Sequence, residues 1–500
     1  MLPSSGMCEA QGLVKRLPIT LESDDRRVIV RPFIMGPERT ASLFSRLDRM
    51  SDEQVDSTLA HVRAQYETRH DDLLATFTEH YDAGAALIGW NHSWNLPKRL
   101  LAGAYLTMEY SVDSAALFNP SLVPMPDQTG VAPGALRVVM SLRATGEGHV
   151  SSIVFHTGTI TADGDVKLDP PAKNLTRARI SLPRVYSRST FQERLEEMRL
   201  PIALVGRVIE ALPDPFDLPQ LHALIGAFKA DTRPEHVETL RAFDAIERLA
   251  STNYRVHLDA RDQLNELVIF PLGKEESRGI EDLRLVRFVD DAGDAVYYGT
   301  YTAYDGTRTS PMMLSTDDFA TFEVFSINGE AALNKGMALF PRKVNGKYVM
   351  CSRIDGENLY IATSDSLHYW PEARLIMQPL DPWEFMQLGN CGSPIETPDG
   401  WLLLTHGVGP MRSYSIGAIL LDLDDPTKVI GHLAEPLIVP DEEEREGYVP
   451  NVVYTCGLLE HGGKLYVPYA QADKRTGLAV IELDELMSKL TRTSAVAAAR

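Results

Sequence analysis

Hydrophobic residues recur at helical spacing in two stretches of the chain. Over 39–81, Leu43, Leu47 and Leu59 belong to an apolar series with charged residues between its members. A second stretch, over about 190–252, carries four shorter series of the same kind. Apolar positions three to four residues apart form one face of an amphipathic helix. The pattern therefore predicts one helical region near the N-terminus and another in the middle of the chain.

The pattern changes to short strands from about residue 111 and again after residue 253. Runs rich in β-branched and aromatic residues are separated there by Asp-Gly, Asn-Gly or Gly-Gly turns, which are hairpin signals. Four turn glycines recur at intervals of about 53 to 63 residues: Gly293, Gly346, Gly400 and Gly463. An antiparallel unit repeated at this period is typical of propeller blades.

Four such units follow Gly279, and the segment from Ser111 to about Pro170 supplies a fifth. The predicted fold class is mainly β: a five-bladed β-propeller with an N-terminal helical region and a helical insertion after the first blade. The predicted organisation is an N-terminal helical extension over 1–110, the first blade over 111–186, the insertion over 187–253 and the remaining blades over 254–490.

Composition excludes several classes of partner. The 500 residues carry 49 Lys and Arg against 69 Asp and Glu, a net charge of -20, which argues against nucleic acid and anionic membranes. No apolar run is long enough to span a bilayer, and the first residues lack the apolar core of a signal peptide. The cysteines, which form no CxxC pair, predict reduced thiols in a cytoplasmic protein without a zinc site: Cys8, Cys351, Cys391 and Cys456.

One polar stretch, Gly279-Ile280-Glu281-Asp282-Leu283-Arg284, lies between an apolar run and a strand-like run. Neighbouring residues on an extended strand point to opposite faces. We therefore expect only one of Glu281 and Asp282 to face a pocket and act as an acid. The other carboxylate, or Arg284, then holds the site together. A surface Glu-Asp-Arg cluster at the start of a strand is the alternative.

Each predicted blade carries one polar cluster near the end of an inner strand. Because inner strands of a propeller converge on its axis, these side chains are expected to meet there. Carboxylates opposite Lys, Arg and His can protonate a leaving group and hold an anion. Three of the residues also have simpler interpretations: Asp305 as a turn former, Arg353 as a partner of Asp355 or Glu357, and His406 as the cap of a strand. The clusters comprise Asn119, Arg143, Asp282, Arg284, Asp305, Lys335, Arg353, His406, Tyr414, Asn451 and Asp473.

Seven motifs together resemble glycoside hydrolase family 130, the β-mannoside phosphorylases and related β-mannosidases. The resemblance covers about residues 265–485. The segments that carry it are Gly279 to Arg284, Thr300 to Gly306, Asn334-Lys335 through Phe340-Pro341, Ser364 to Trp370, Trp401 through His406-Gly407, Leu420 to Pro426 and Val449 to Val453. This family has a five-bladed propeller, in agreement with the repeats.

The resemblance implies residue roles. Asp282 matches the catalytic acid, which in family phosphorylases works through a sugar hydroxyl that relays the proton. Lys335, Arg353, His406 and Tyr414 match positions that bind phosphate, and Lys335 stands where some members carry arginine. Sugar contacts are implied for Asn119, Arg143, Arg284, Asp305 and Asp473.

The expected activity is an inverting phosphorolysis of β-linked manno-oligosaccharides. Phosphate is the co-substrate, and no cofactor or metal is required. A phosphorylase needs the acid and positive charge for the anion, whereas an inverting hydrolase needs a second carboxylate to activate water. Two alternatives stay open: a β-mannosidase with Glu281, Glu384 or Glu396 as its base, and a non-catalytic glycan-binding propeller. The helical additions, absent from compact family members, are expected to shape the acceptor side or to form a homo-oligomer interface.

Overall fold

The computed structural model of the protein describes residues 12–172, 174–181, 186–198, 200–233, 235–258 and 263–492. Within these ranges the chain is mainly β, with nine α-helices and 29 strands in five sheets. No helix in the described part of the chain is long and apolar enough to cross a membrane. Cys351, Cys391 and Cys456 are buried free thiols, and Cys8 lies outside the described residues.

The helices lie in the predicted N-terminal and middle helical regions, where the first region extends beyond the periodic stretch to Tyr105, and a short one lies near the C-terminus. Their bounds are α1 (Pro37–Asp48), α2 (Asp52–Tyr66), α3 (Leu73–Ile88), α4 (Leu96–Tyr105), α5 (Arg188–Glu197), α6 (Ile202–Ala211), α7 (Leu218–Asp231), α8 (Val237–Ser251) and α9 (Leu483–Lys489). Ser51 caps α2 in a reciprocal pair of hydrogen bonds with Gln54, which explains why a helix starts there. The middle group has a hydrophobic core of its own around Phe216, Phe243 and Ile246.

The strands before the middle helices are β1 (Val14–Leu21), β2 (Val28–Pro32), β3 (Thr107–Ser111), β4 (Ala116–Pro124), β5 (Leu136–Thr145), β6 (Ser151–Ile160), β7 (Val166–Leu168), β8 (Thr176–Arg177) and β9 (Arg179–Ser181). Those that follow are β10 (Tyr254–His257), β11 (Leu267–Ile269), β12 (Gly279–Val289), β13 (Ala295–Tyr304), β14 (Thr309–Thr316) and β15 (Thr321–Ser326). The last fourteen are β16 (Ala338–Leu339), β17 (Tyr348–Ser352), β18 (Leu359–Ser364), β19 (Glu372–Met377), β20 (Gln387–Asn390), β21 (Ile395–Thr397), β22 (Gly400–Val408), β23 (Tyr414–Leu421), β24 (Val429–His432), β25 (Val453–Tyr454), β26 (Leu459–His461), β27 (Lys464–Gln471), β28 (Arg475–Glu482) and β29 (Thr491–Arg492).

These strands form sheets of twelve, six, five, four and two strands. The largest runs β4-β5-β6-β12-β13-β14-β15-β10-β9, with β7, β8 and β11 beside it. Strands β16 to β19 form the four-stranded sheet, β20 to β24 with β29 the six-stranded one, and β25 to β28 with β1 the five-stranded one. The predicted hairpins at Gly293, Gly346, Gly400 and Gly463 are confirmed. The closed ring of five blades stays a prediction.

The first described strand pairs with one of the last. Strand β1 is antiparallel to β28, with Val14 opposite Ile481. The Arg16 Nε atom donates to Glu444 Oε1 at 3.1 Å, which ties the same strand to the loop before β25. No strand is predicted for this segment from the residue pattern. Residues more than 400 positions apart thus share one sheet and stabilise each other.

Apolar side chains fill the space between neighbouring sheets. Leu402 and Leu404 of β22 pack in one cluster with Leu465 and Val467 of β27. Burial of apolar surface at about 25 cal/mol per Å² makes such contacts the main favourable contribution to the fold. The apolar side chains pack between the sheets, whereas the polar residues of the candidate site lie at the strand ends.

A buried carboxylate fixes the loop that leads into β12. Glu276 accepts hydrogen bonds from the hydroxyl groups of Tyr301 at 2.6 Å and Tyr254 at 3.0 Å. It also accepts from the backbone N–H groups of Leu272 at 2.9 Å and Gly273 at 3.3 Å. Tyr254 lies just after α8, so this carboxylate connects the end of the middle helices to the strand that carries Asp282.

We expect Glu276→Gln to lower the free energy of unfolding by about 2–3 kcal/mol, because an amide NH₂ group then faces buried donors. The urea midpoint of the full chain measures the loss. Glu275→Gln, at the neighbouring half-buried position, is the matched control and should leave the midpoint within error. An equal loss in both variants would contradict a specific role for the Glu276 carboxylate.

Candidate active site

The strand that carries Asp282 is interrupted by a bulge at that residue. The register between β12 and β13 shifts between Glu281 and Arg284, and Asp282 has a φ of 59°. This left-handed backbone breaks the alternation of an extended strand. As a result, Glu281 and Asp282 both contact Arg143, at 2.8 Å from Nη2 and 3.3 Å from Nη1. The expectation that only one of the two carboxylates faces the site is therefore wrong.

Asp282 is buried and surrounded by donors. Its Oδ1 atom accepts a hydrogen bond from Asn119 Nδ2 at 2.7 Å, and Oδ2 lies 3.9 Å from Arg284 Nη2. Burial alone would raise the pKa of this carboxyl, but Arg143, Arg284, Lys335 and the Asn119 hydrogen bond together lower it to about 2. The group is ionised in the free protein.

The guanidinium group of Arg284 forms its hydrogen bonds within the protein. Its Nη1 atom donates to the Asp282 carbonyl at 2.8 Å, Nε donates to the Cys391 carbonyl at 2.9 Å, and Nη2 donates to the Tyr454 hydroxyl at 2.8 Å. The side chain is buried. These bonds favour the interpretation in which Arg284 holds the site together over the implied direct contact with sugar.

Lys335 extends the positive side of the cluster towards solvent. Its Nζ atom lies 4.0 Å from Glu281 Oε2, and its side chain is 46% exposed. Asn334, the preceding residue, has a φ of 69° and accepts the Lys335 N–H at its own Oδ1 atom. Lys335 is thus a half-exposed positive charge at the edge of the buried cluster.

A second cluster joins Arg353 to His406. Arg353 follows β17, and its Nη1 atom lies 2.8 Å from His406 Nε2. The ring nitrogen Nδ1 lies 3.1 Å from the Asn390 carbonyl, which can only accept. Nδ1 therefore carries the proton, and Nε2 accepts from Arg353. In the described part of the chain, Arg353 contacts His406, while Asp355 closes its own turn through Asn358 and Tyr360, which argues against the alternative pairing of Arg353 with Asp355.

His406 adds no charge to this cluster. Burial and the charges of Arg353 and Arg284 lower the pKa of the imidazole well below its usual value, so the ring is neutral. The ring lies in the protein interior next to the Arg353 guanidinium group and adds no positive charge for an anion. Its contribution is to hold Arg353. Both residues lie within the electrostatic influence of Asp282.

Two tyrosines flank His406. The Tyr414 ring is parallel to the imidazole with 6.1 Å between centroids, and the Tyr454 ring meets it edge-on at 4.9 Å. Tyr414 is half-buried, and its backbone N–H donates to the Asn451 carbonyl at 2.9 Å. The structure thus brings Tyr414 and Asn451 next to the Arg353 cluster.

Asp473 lies close enough to Asp282, Arg143 and Lys335 for their charges to act on it. Burial and the negative charge of Asp282 raise its pKa to about 6, while Arg143, Arg412 and Lys335 act in the opposite direction. The environment therefore moves the pKa values of these two carboxyls apart. Such divergence is common where one carboxyl holds a proton and another a charge.

Asp305 differs from the other predicted residues. Its Oδ1 atom accepts the backbone N–H groups of Thr307 and Arg308, both at 2.7 Å, and the Thr307 hydroxyl at 2.9 Å. These bonds lower its pKa and stabilise the turn. Among the described residues, the side-chain hydrogen bonds of Asp305 stay within this turn and do not reach the Asp282 cluster. The turn-forming interpretation is confirmed, and sugar binding by Asp305 stays a prediction.

The candidate bases for hydrolysis are occupied. Glu281 pairs with Arg143 as given above, and Glu396 forms a surface ion pair with Arg342 at 2.6 Å. Glu384 is buried and accepts the backbone N–H of Leu380 at 2.8 Å, and burial raises its pKa to about 7. The pKa of Glu384 is thus raised, whereas the hydrogen bond from Arg342 lowers the pKa of Glu396.

Several residues of the site escaped the sequence analysis. Tyr454 accepts a hydrogen bond from Arg284, and the Asn390 carbonyl lies next to His406. Gln387 accepts a hydrogen bond from Arg353 Nη2 at 2.7 Å when its amide oxygen faces the guanidinium group. Gln387 and Asn390 are the first and last residues of β20. These two residues could have been found from the sequence, because they are polar and lie at strand ends like the predicted residues. In the described part of the chain, no group of three or more His, Cys, Asp or Glu residues is placed to hold a metal ion.

Comparison with known proteins gives consistent matches. The model of glycoside hydrolase family 130, described as beta-1,4-mannooligosaccharide phosphorylase, matches residues 247–492. A 1,2-beta-oligomannan phosphorylase of Thermoanaerobacter sp. is 37% identical over 219 residues, which are 43% of this chain and 71% of that protein. A beta-1,2-mannobiose phosphorylase of the same organism is 38% identical over 217 residues, 42% of this chain and 70% of that protein. A beta-1,4-mannooligosaccharide phosphorylase of Ruminococcus albus is 34% identical over 223 residues, 42% of this chain and 65% of that protein.

The raised pKa of Asp473 predicts a pH-dependent effect of Asp473→Asn. An unfolded aspartate titrates near about 3.9, so between about pH 4 and pH 6 the folded state holds a proton that the unfolded state releases. Ionisation of Asp473 therefore lowers the free energy of unfolding as the pH rises from about 4 to about 6. We expect the Asn variant to melt at a higher temperature than the wild type at pH 8, with the difference vanishing below about pH 4.

Asn is suited to the position because Asp473 has a φ of 48°, a conformation that Asn tolerates. Asp305→Asn is the control with the opposite sign, since the pKa of Asp305 is lowered and its carboxylate stabilises the fold at high pH. A lower melting temperature for Asp473→Asn at pH 8 would contradict the assignment.

Proposed function

Because the chain belongs to glycoside hydrolase family 130, we propose that it is an inverting β-mannoside phosphorylase. It takes the terminal residue of a β-linked manno-oligosaccharide and phosphate to α-mannose 1-phosphate and a shortened acceptor. The family relationship rests on the 37% identity over 71% of a relative. The relatives named above include both β-1,2 and β-1,4 phosphorylases, so the proposal covers β-mannosides of either linkage.

The observation that carries the proposal is the distribution of charge. One buried carboxylate, Asp282, lies among Arg143, Arg284 and Lys335, and a second guanidinium, Arg353, is held nearby by His406. Phosphate is an anionic nucleophile and needs positive charge more than it needs a base. Arg353 offers a planar fork to the phosphate oxygens, and Lys335 offers a movable point charge.

We assign the proton transfer to Asp282. A phosphate oxygen attacks the anomeric carbon while the bond to the glycosidic oxygen breaks on the opposite side. The Asp282 proton passes through a sugar hydroxyl to that oxygen, and the new phosphomonoester then gives up a proton that restores the acid. Bound phosphate adds negative charge beside Arg143 and Lys335, which raises the pKa of Asp282. The raised pKa favours the protonated carboxyl group that donates the proton.

The remaining predicted residues hold the sugar in this proposal. Asn119 and Asp473 flank Asp282, and Tyr414 lies beside the ring that orients Arg353. We propose that the five-bladed propeller suggested by the repeats brings these strand ends together around one axis. The described sheets of four, five and six strands are compatible with that arrangement.

Hydrolysis is the second candidate, and Glu384 with its raised pKa is the residue that favours it. The carboxyl group, however, binds backbone N–H groups of its own turn at Leu380 and Asp381. Its pKa responds to Asp381 and to none of the arginines of the site. Phosphorolysis therefore has the stronger support.

Incubation with β-1,2- and β-1,4-manno-oligosaccharides, with and without phosphate, tests the proposal. We expect mannose 1-phosphate only in the presence of phosphate, and a loss of about 10²- to 10⁴-fold in kcat for Asp282→Asn. Asn is isosteric and suits the left-handed backbone at this position, so the fold should be kept. Free mannose released at the same rate without phosphate would show a hydrolase. Unchanged activity of the variant on every mannoside would show that Asp282 is not the acid.

Lys335→Ala tests the phosphate site. We expect the KM for phosphate to rise about tenfold, the loss of about 1.4 kcal/mol of charge interaction, with an unchanged melting temperature because the side chain is half-exposed. Lys347, which is 51% exposed and pairs with Asp365, offers a matched control in Lys347→Ala. A rise in the KM for the oligosaccharide with no change for phosphate would place Lys335 on the sugar instead.

A further inference from the structure

An exposed aromatic pair lies at the surface near the site. The rings of His149 and Tyr448 are stacked with 5.6 Å between centroids and 29° between planes. The Tyr448 hydroxyl is 3.4 Å from His149 Nδ1, and the tyrosine is 57% exposed. The two residues come from loops about 300 positions apart, so the fold brings them together. Their outer ring faces are available to a ligand.

Each loop is attached to a residue of the candidate site. Next to Tyr448, the Val449 N–H donates to the Ala472 carbonyl at 2.9 Å, directly before Asp473. Two residues after His149, the Ser151 hydroxyl accepts from Arg143 Nε at 2.9 Å. The pair therefore lies beside the Arg143 and Asp473 side of the cluster.

The loop of His149 is held in an unusual conformation. His149 has a φ of 58° and Gly148 a φ of 68°. The buried Tyr110 hydroxyl donates to the Glu147 carbonyl at 2.9 Å and fixes this turn from below. A left-handed histidine costs free energy, and such strain is common where a side chain must be presented in one direction. The backbone of His149 is thus held in this turn, and its ring stacks against Tyr448.

The depth of the site decides which part of an oligosaccharide reaches this pair. Asp282, Arg284, Arg353 and His406 are buried, whereas Tyr448 is exposed, so in the proposed site the first four would form the floor and Tyr448 the rim. If the terminal sugar is transferred at the floor, the rest of the oligosaccharide extends towards solvent. The pyranose ring that meets the rim therefore belongs to the acceptor.

We infer that His149 and Tyr448 form a platform for a pyranose ring of the acceptor, and thereby set the preference for the acceptor. This inference rests on the function proposed above. One face of a pyranose carries C–H groups that pack on aromatic rings, while the Tyr448 hydroxyl and the imidazole can bind sugar hydroxyls. Binding of the leaving sugar to this aromatic pair holds it in line with Asp282.

The test uses the reverse reaction, in which α-mannose 1-phosphate and a mannose or manno-oligosaccharide acceptor give a longer mannoside. Tyr448→Ala should raise the acceptor KM about tenfold, equivalent to about 1.4 kcal/mol, and leave the KM for mannose 1-phosphate within about twofold. Tyr448→Phe keeps the stacking surface but loses the hydroxyl, so it should raise the acceptor KM less than Tyr448→Ala does. His149→Asn keeps a residue that tolerates the left-handed backbone and should raise the acceptor KM as well.

Tyr105→Ala is the matched control, because Tyr105 is 47% exposed on the N-terminal helices and belongs to no part of the site. Its acceptor KM should equal that of the wild type. If the wild type makes mannoside but Tyr448→Ala keeps its acceptor KM, the inference fails and the proposed function stands. The inference also fails if Tyr448→Ala changes the molecular mass in solution with no effect on acceptor KM, since the pair is then a contact between copies. Wild-type protein that makes no mannoside from mannose 1-phosphate overturns both.

Discussion

The charge of one buried carboxylate, Asp282, dictates much of the architecture around it. An isolated ionised carboxylate in a protein interior is costly unless charges and hydrogen bonds compensate it. Here the compensation comes from Asn119 of β4, Arg143 of β5 and Arg284 of β12 itself. Arg284 in turn is held by Cys391 after β20 and by Tyr454 of β25. Residues on or next to strands of three sheets thus meet around a single buried charge.

Left-handed backbone recurs at the polar positions of the site. Such φ values cost free energy for most residues but little for Asn and Asp, whose short polar side chains bind locally. The same residue types also provide the amides and carboxylates that a sugar site needs. The chemistry and the backbone conformation therefore favour the same residues, which are Asn119, Asp282, Asn334, Asn451 and Asp473.

The sequence was informative where local pattern determines structure. Helical periodicity and turn glycines identified the two helical stretches and the repeated hairpins, because both depend on neighbours in the chain. The bulge at Asp282 was not predicted, since it depends on register with β13 rather than on local sequence. The neutral state of His406 also escaped, because it results from burial beside Arg353 and Arg284. Strand β1 was missed for a similar reason: its partner lies at the other end of the chain.

Ligand binding and protonation are coupled in such a cluster. The charges of Arg143 and Lys335 act on both Asp282 and Asp473, lowering the pKa of the first to about 2 while the second stays near about 6. An anion that binds beside these cations competes for the same charge, so it must raise the proton affinity of both carboxyls. By linkage, a protonated Asp282 must in turn favour the anion. A phosphorylase built on this cluster therefore acquires its acid proton when its nucleophile arrives, and the free site keeps the ionised carboxylate that its arginines stabilise.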